Sequence, residues 1–130
     1  MSLDEIESQE IINQVHEHLN QENIIRALSI INDLLDKNPS NHQGWLYLGI
    51  IKRRLGKLED AIKCFETAVE IEPSMIEAWG LLTITYMDDG EYILAEKVME
   101  KAGKLNPLDE RINFYRENLI RVYEKFGPFF

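Results

Sequence analysis

The sequence predicts an all-α chain: an α-solenoid of three helix-turn-helix repeats closed by a C-terminal capping helix. Three observations predict it. Pro39, Pro73 and Pro107 stand 34 residues apart, and Ala27, Ala61 and Ala95 share that spacing. Residues 42–75 and 76–109 align without a gap and are identical at nine positions, among them Trp45/Trp79, Leu48/Leu82, Gly56/Gly90 and Ala68/Ala102. Within each copy apolar residues recur at steps of three and four, the period of a helix with one buried face.

The first repeat, residues 8–41, is a degenerate copy. It keeps Ala27 and Pro39 but puts Ile11 in the tryptophan slot and Leu34 in a small-residue slot, and it lacks a turn glycine. Its turn is expected at Gln21–Asn23. A terminal repeat has one side toward solvent, so atypical residues are expected there. In the second repeat, residues 42–75, the spacing of Ser40 to Gln43 predicts a capping box before the helix that carries Trp45 and Leu48. Gly56 supplies the turn, since a helix readily ends on glycine in the left-handed region. Leu58, Ala61, Phe65 and Ala68 then form the apolar face of a second helix, which Pro73 ends. The third repeat, residues 76–109, repeats this plan: Ser74 to Glu77, Trp79, Leu82 and Tyr86, the Gly90 turn, then Tyr92, Ala95, Met99, Ala102 and Pro107. Small residues alternating with large ones let the paired helices approach closely. Residues 110–126 read as one more amphipathic helix (Ile112, Tyr115, Leu119, Val122, Tyr123) covering the exposed side of the third pair. Residues 127–130 are an aromatic tail, and the whole of 1–130 reads as one domain.

Trp45-x2-Leu48-Gly49, Ala61-x3-Phe65 and Pro73 resemble the signature of the tetratricopeptide repeat family at its usual spacing. Lys52 departs from it, standing where the family has Tyr. The third copy restores Tyr86 but carries Thr83 for the glycine and Met99 for the phenylalanine. The resemblance implies a curved stack whose first helices line a concave, ligand-holding face. Carried onto this chain, that face comprises Ile12, His16 and Leu19; Gln43, Leu46, Ile50 and Arg53; Glu77, Gly80, Ile84 and Met87; and Arg111, Phe114, Asn118 and Arg121. The partner-binding groove is expected as an apolar strip of Leu46, Ile50, Ile84, Met87 and Phe114, the other reading being that curvature or a neighbouring segment covers these residues. Arg53, helped by Arg121, is the candidate anchor for an acidic group, against the reading of a solvated helix end whose cations favour the dipole. Family members that clamp the C-terminal carboxylate of heat-shock chaperones use Lys, Asn and Arg at positions matching Ile12, His16, Tyr47, Glu77 and Leu81. None of the five fits, so the resemblance does not extend to that clamp.

Composition narrows the function classes. A formal charge of −9 and a pI near 4.8 disfavour nucleic acid, which needs a basic stripe. The charge is uneven: residues 1–41 carry eight acids and two bases, whereas residues 110–130 carry three acids and four bases. The one cysteine, Cys64, points to a reducing, cytoplasmic setting. The acidic N-terminus does not read as a secretory signal, and no apolar run is long enough for a membrane span. His16 and His18 fall on well-separated faces of one helix, with no cysteine beside them, so neither a metal site nor a cofactor is expected. No phosphate loop, nucleophile elbow or dinucleotide fingerprint is present. The chain therefore reads as a non-enzymatic scaffold that binds a protein or peptide partner. The other reading is a self-associating structural protein, a homodimer whose groove is filled by another copy or its aromatic tail.

Overall fold

The computed structural model describes residues 2–126, and their side chains apart from residue 120 and residues 122–126. The expected tail at 127–130 and the side chains of Val122 and Tyr123 lie outside the described residues. Within them the chain forms seven helices and no strand: α1 (Leu3–Asn20), α2 (Ile24–Lys37), α3 (His42–Arg54), α4 (Leu58–Ile71), α5 (Ile76–Asp88), α6 (Tyr92–Leu105) and α7 (Glu110–Phe126). Consecutive helices pack antiparallel in pairs, and the odd-numbered helices also touch one another, α1 against α3 and α5 against α7.

The alanines sit where the period puts them. Ala27, Ala61, Ala68, Ala95 and Ala102 are all fully buried at helix crossings, with Phe65 and Met99 filling the space between. Two core clusters result. One joins α1, α2 and α3 through Val15, Ile31, Leu48 and Ile51, and reaches Cys64 on α4. The other runs from α3 to α7 and is built around Phe65, Trp79, Leu82, Met99 and Ile112. Trp45 and Ile50 pack against both.

The three turns between paired helices share one backbone motif. The amide of Gly56 donates to the Arg53 carbonyl at 3.0 Å and that of Lys57 to the Lys52 carbonyl at 2.9 Å. Gly90 and Glu91 repeat these bonds to Met87 and Tyr86, and Glu22 and Asn23 repeat them to Leu19 and His18. This crossed pair of bonds satisfies carbonyls that the helix end leaves open, and it requires a left-handed residue. Gly56 and Gly90 supply it with φ of 76° and 78°. In the first turn Glu22 supplies it instead, with φ of 60°.

The helix starts differ from expectation. The capping boxes expected at Ser40 and Ser74 do not form. Asn41 caps α3, its side chain accepting from the Gly44 amide at 2.8 Å, and Met75 precedes α5 without a side-chain cap. The turn after each proline carries the chain one residue further before it coils, and the Ser74 hydroxyl is spent on the Glu72 carboxylate at 2.7 Å. A full capping box occurs instead at Ser2 and Glu5, where it starts α1 five residues ahead of the expected repeat boundary at residue 8.

Candidate functional site

The odd-numbered helices carry four rows of register-equivalent residues on the face expected to be concave: Gln9, Gln43, Glu77 and Arg111; Ile12, Leu46, Gly80 and Phe114; His16, Ile50, Ile84 and Asn118; Leu19, Arg53, Met87 and Arg121. Their depth differs from row to row.

The second row is mostly core, which corrects the reading of the groove. Ile12 and Leu46 are only 3% exposed each, and Gly80 is buried. The cause is the approach of the next odd-numbered helix. Tyr115 of α7 lies over Gly80 so closely that a β-carbon there would meet the ring at 2.6 Å. Tyr47 and Leu81, the register equivalents of Tyr115, pack against the clusters that hold Ile12 and Leu46 respectively. Tyr115 therefore roofs Gly80, while the row opens on α7, where Phe114 is 63% exposed.

The third row is more open. His16 is exposed, and its Nδ1 lies 3.3 Å from the Tyr47 hydroxyl with the rings edge to face. Burial, with a further push from the Glu77 carboxylate, raises the Tyr47 phenol above its ordinary range. Ile50 is half-buried and Ile84 is 36% exposed. Asn118, half-buried, donates its side-chain amide to the Phe114 carbonyl at 3.0 Å.

In the fourth row Leu19 is buried, Met87 is half-buried against the larger core cluster, and Arg121 is exposed. Arg53, the candidate anchor for an acidic ligand, is already occupied: its Nη2 and Nε donate to Asp88 Oδ2 at 2.6 and 3.2 Å. Arg54 donates to the Leu19 carbonyl at 3.0 Å. Both contacts span 35 residues, as does the Gly80–Tyr115 approach. This step of one repeat plus one residue is the signal the sequence held for Asp88, Tyr47, Leu81 and Tyr115, none of which the groove reading had included.

At the N-terminal rim of the face, Gln9 and Gln43 open onto a polar cavity of about 450 Å3 that Asp4, Glu5 and His42 also line. Glu77 continues that rim and is exposed. Arg111 is held by Asp109 at 2.8 Å, which keeps the Asp109 carboxyl below the usual carboxylate range. Cys64 is buried, and that burial pushes its thiol up to about 11, too high for a nucleophile at neutral pH. Among the described residues, no group of His, Cys, Asp and Glu stands close enough to hold a metal, and no helix is long and apolar enough to cross a membrane.

Comparison with known proteins bears on the scaffold. Residues 42–75 match the family model described as tetratricopeptide repeat. The human protein O-mannosyl-transferase TMTC3 is 28% identical over 98 residues, covering 75% of this chain and 11% of that protein. The chain spans 11% or less of the curated relatives it matches. Two solved structures share the fold. The Sgt2 TPR domain from Aspergillus fumigatus superposes with a TM-score of 0.79 at 18% identity, over 94% of this chain and 82% of that one. The TPR2B domain of yeast Sti1, solved in complex with pHsp70, gives 0.75 at 15% identity, over 89% and 98%. With the repeated Trp, Gly, Ala and Pro positions at their 34-residue spacing, the chain carries a tetratricopeptide repeat at residues 42–75 and has the fold of tetratricopeptide domains.

Proposed function

We propose that the chain is a protein-interaction module that receives a peptide or helical segment of another protein on its concave face. The observation that carries this is the exposure of Ile84 and Phe114, on α5 and α7, in rows whose other apolar members are half-buried or buried. Ile50, Met87 and Tyr115 flank them as partly buried hydrophobics. Exposed apolar side chains gathered on a concave face gain about 25 cal/mol per Å2 when a partner covers them, before association costs. The face is an open wall that binds rather than a pocket equipped for catalysis. The Sti1 domain, similar in fold and solved in complex with pHsp70, supports a binding role. Its ligand is not carried over, because none of Ile12, His16, Tyr47, Glu77 and Leu81 is the Lys, Asn or Arg that a terminal-carboxylate clamp uses at these positions. A reducing, cytoplasmic setting fits the buried single thiol.

The test is Ile84→Asp. Partners captured from the native host by the wild-type chain should be lost by the variant, with helix content and thermal midpoint nearly unchanged. Unfolding of the free variant would place Ile84 in the core and end this reading. Sedimentation of the purified wild-type chain addresses the self-associating alternative: a dimer that Ile84→Asp converts to monomer would favour a second copy as occupant.

A further inference from the structure

We infer that the segment received by the concave face is amphipathic and cationic, presenting large apolar side chains to Ile84 and Phe114 and a lysine or arginine to Glu77. This rests on the concave-face reading and adds the chemistry of the partner.

The charges on the face differ in whether a partner neutralises them. On α1 the one titratable group is His16, placed against Tyr47. On α3 it is Arg53, whose charge Asp88 of α5 already neutralises. On α7 Arg111 is held by Asp109, and Arg121 stands in the last row, at the opposite rim. Glu77 remains on α5, exposed and without a hydrogen bond or ion pair among the described residues. Its negative charge reaches across to α3, where it contributes to the raised Tyr47 phenol. The same rim continues past the neutral Gln43 and Gln9 into the cavity lined by Asp4 and Glu5, so an approaching segment meets carboxylates at the N-terminal ends of α1 and α5. The two halves of the face are set a fixed distance apart. Ile84 follows Glu77 by two helical turns, roughly 10 Å along α5. An extended partner spans that in about three residues and a helical one in about seven, so a basic residue at either spacing from an apolar anchor satisfies both. An acidic segment would bring like charge to Glu77 and meet Arg53 already paired with Asp88.

The experiment uses two fluorescein-labelled synthetic helical peptides with the same Leu and Phe positions. One carries Lys and the other Glu at its polar positions, and each is titrated with the whole chain by fluorescence anisotropy. The Lys peptide should bind about fivefold or more tighter, the preference narrowing as salt is raised. Glu77→Lys should abolish or invert the preference, and Glu77→Gln, the milder variant should the charge reversal disturb folding, should reduce it. Equal binding of the two peptides, tighter binding of the Glu peptide, or a Lys preference unchanged in Glu77→Gln overturns the inference while leaving the groove intact. Binding of neither peptide, or binding untouched by Ile84→Asp, overturns the concave-face reading itself.

Discussion

Gly49 lies so near the Phe65 ring that a β-carbon there would stand 2.5 Å from Cε1 and 2.7 Å from Cδ1. The glycine is therefore a packing requirement of α3 against α4. In the third pair the same two positions are Thr83 and Met99, both buried. An unbranched, flexible thioether replaces the rigid ring and leaves room for a β-branched residue. The Thr83 hydroxyl donates to the Trp79 carbonyl at 2.8 Å, so its burial leaves no unsatisfied donor. These substitutions are visible in the sequence as two separate departures from the repeat, and the packing explains why they occur together. Gly49→Thr alone should cost ~1–3 kcal/mol by overpacking. Combining it with Phe65→Met should recover part of that loss, giving a favourable coupling in a double-mutant cycle of denaturant midpoints. Strict additivity would show that the two positions do not meet. The tryptophan and proline pairs have a similar cause. Trp45 and Trp79 donate their indole N–H groups to the carbonyls of Pro39 and Pro73 at 2.7 and 2.8 Å, tying each odd-numbered helix to the turn before it.

At the scale of the element, the paired helices and two of their turns were legible because glycine marks a left-handed turn at Gly56 and Gly90. The first turn was placed only by its neighbours' spacing, since Glu22 gives no compositional sign of its backbone. Holding a non-glycine residue there costs ~1–2 kcal/mol, against roughly 0.5–1 kcal/mol that glycine would lose in backbone entropy. Glu22→Gly should therefore raise the thermal midpoint, by a few degrees for a net gain of about 1 kcal/mol. A lowered midpoint in calorimetry would mean that the glutamate side chain contributes more than its backbone costs. The depth of the expected groove was not legible. A 34-residue register assigns Ile12, Leu46 and Gly80 to the side expected to be concave, and all three are buried. It does not state how near the next odd-numbered helix comes, and that distance makes them core. Only the 35-residue contacts, Arg53 with Asp88 and Arg54 with the Leu19 carbonyl, reveal it. Charge complementarity was misleading for the same reason: Arg53 reads as a free cation until α5 is packed beside α3.

The whole molecule is a stack in which each pair of helices touches mainly its neighbours, so its stability should be a sum of local terms rather than one indivisible core. The two core clusters give that expectation a boundary. Ile31 of α2 is fully buried in the cluster of α1 to α3, while Met99 of α6, 1% exposed, belongs to the cluster that runs on to α7. At the other end α7 packs against α6 and α5. Its inner face buries Ile112 and Leu119, while Asn113, Arg116 and Glu117, standing where earlier repeats have Trp, Leu and Gly or Thr, are exposed. Truncating either buried side chain to alanine should cost a comparable ~2–5 kcal/mol of local stability. Where that cost appears should differ. In native-state hydrogen exchange, Ile31→Ala should speed exchange of the α1 and α2 amides while α5 and α6 keep most of their protection. Met99→Ala should do the reverse, opening α5 to α7 first. Trp45 and Ile50 touch both clusters, so α3 and α4 should respond to either substitution and less than the altered pair. Equal acceleration of every helix by both variants would mean that the coupling across α3 exceeds the stability of either half. The concave face would then be set by one cooperative unit, and a ligand bound at Ile84 and Phe114 should protect α1 and α2 as strongly as α5 and α7.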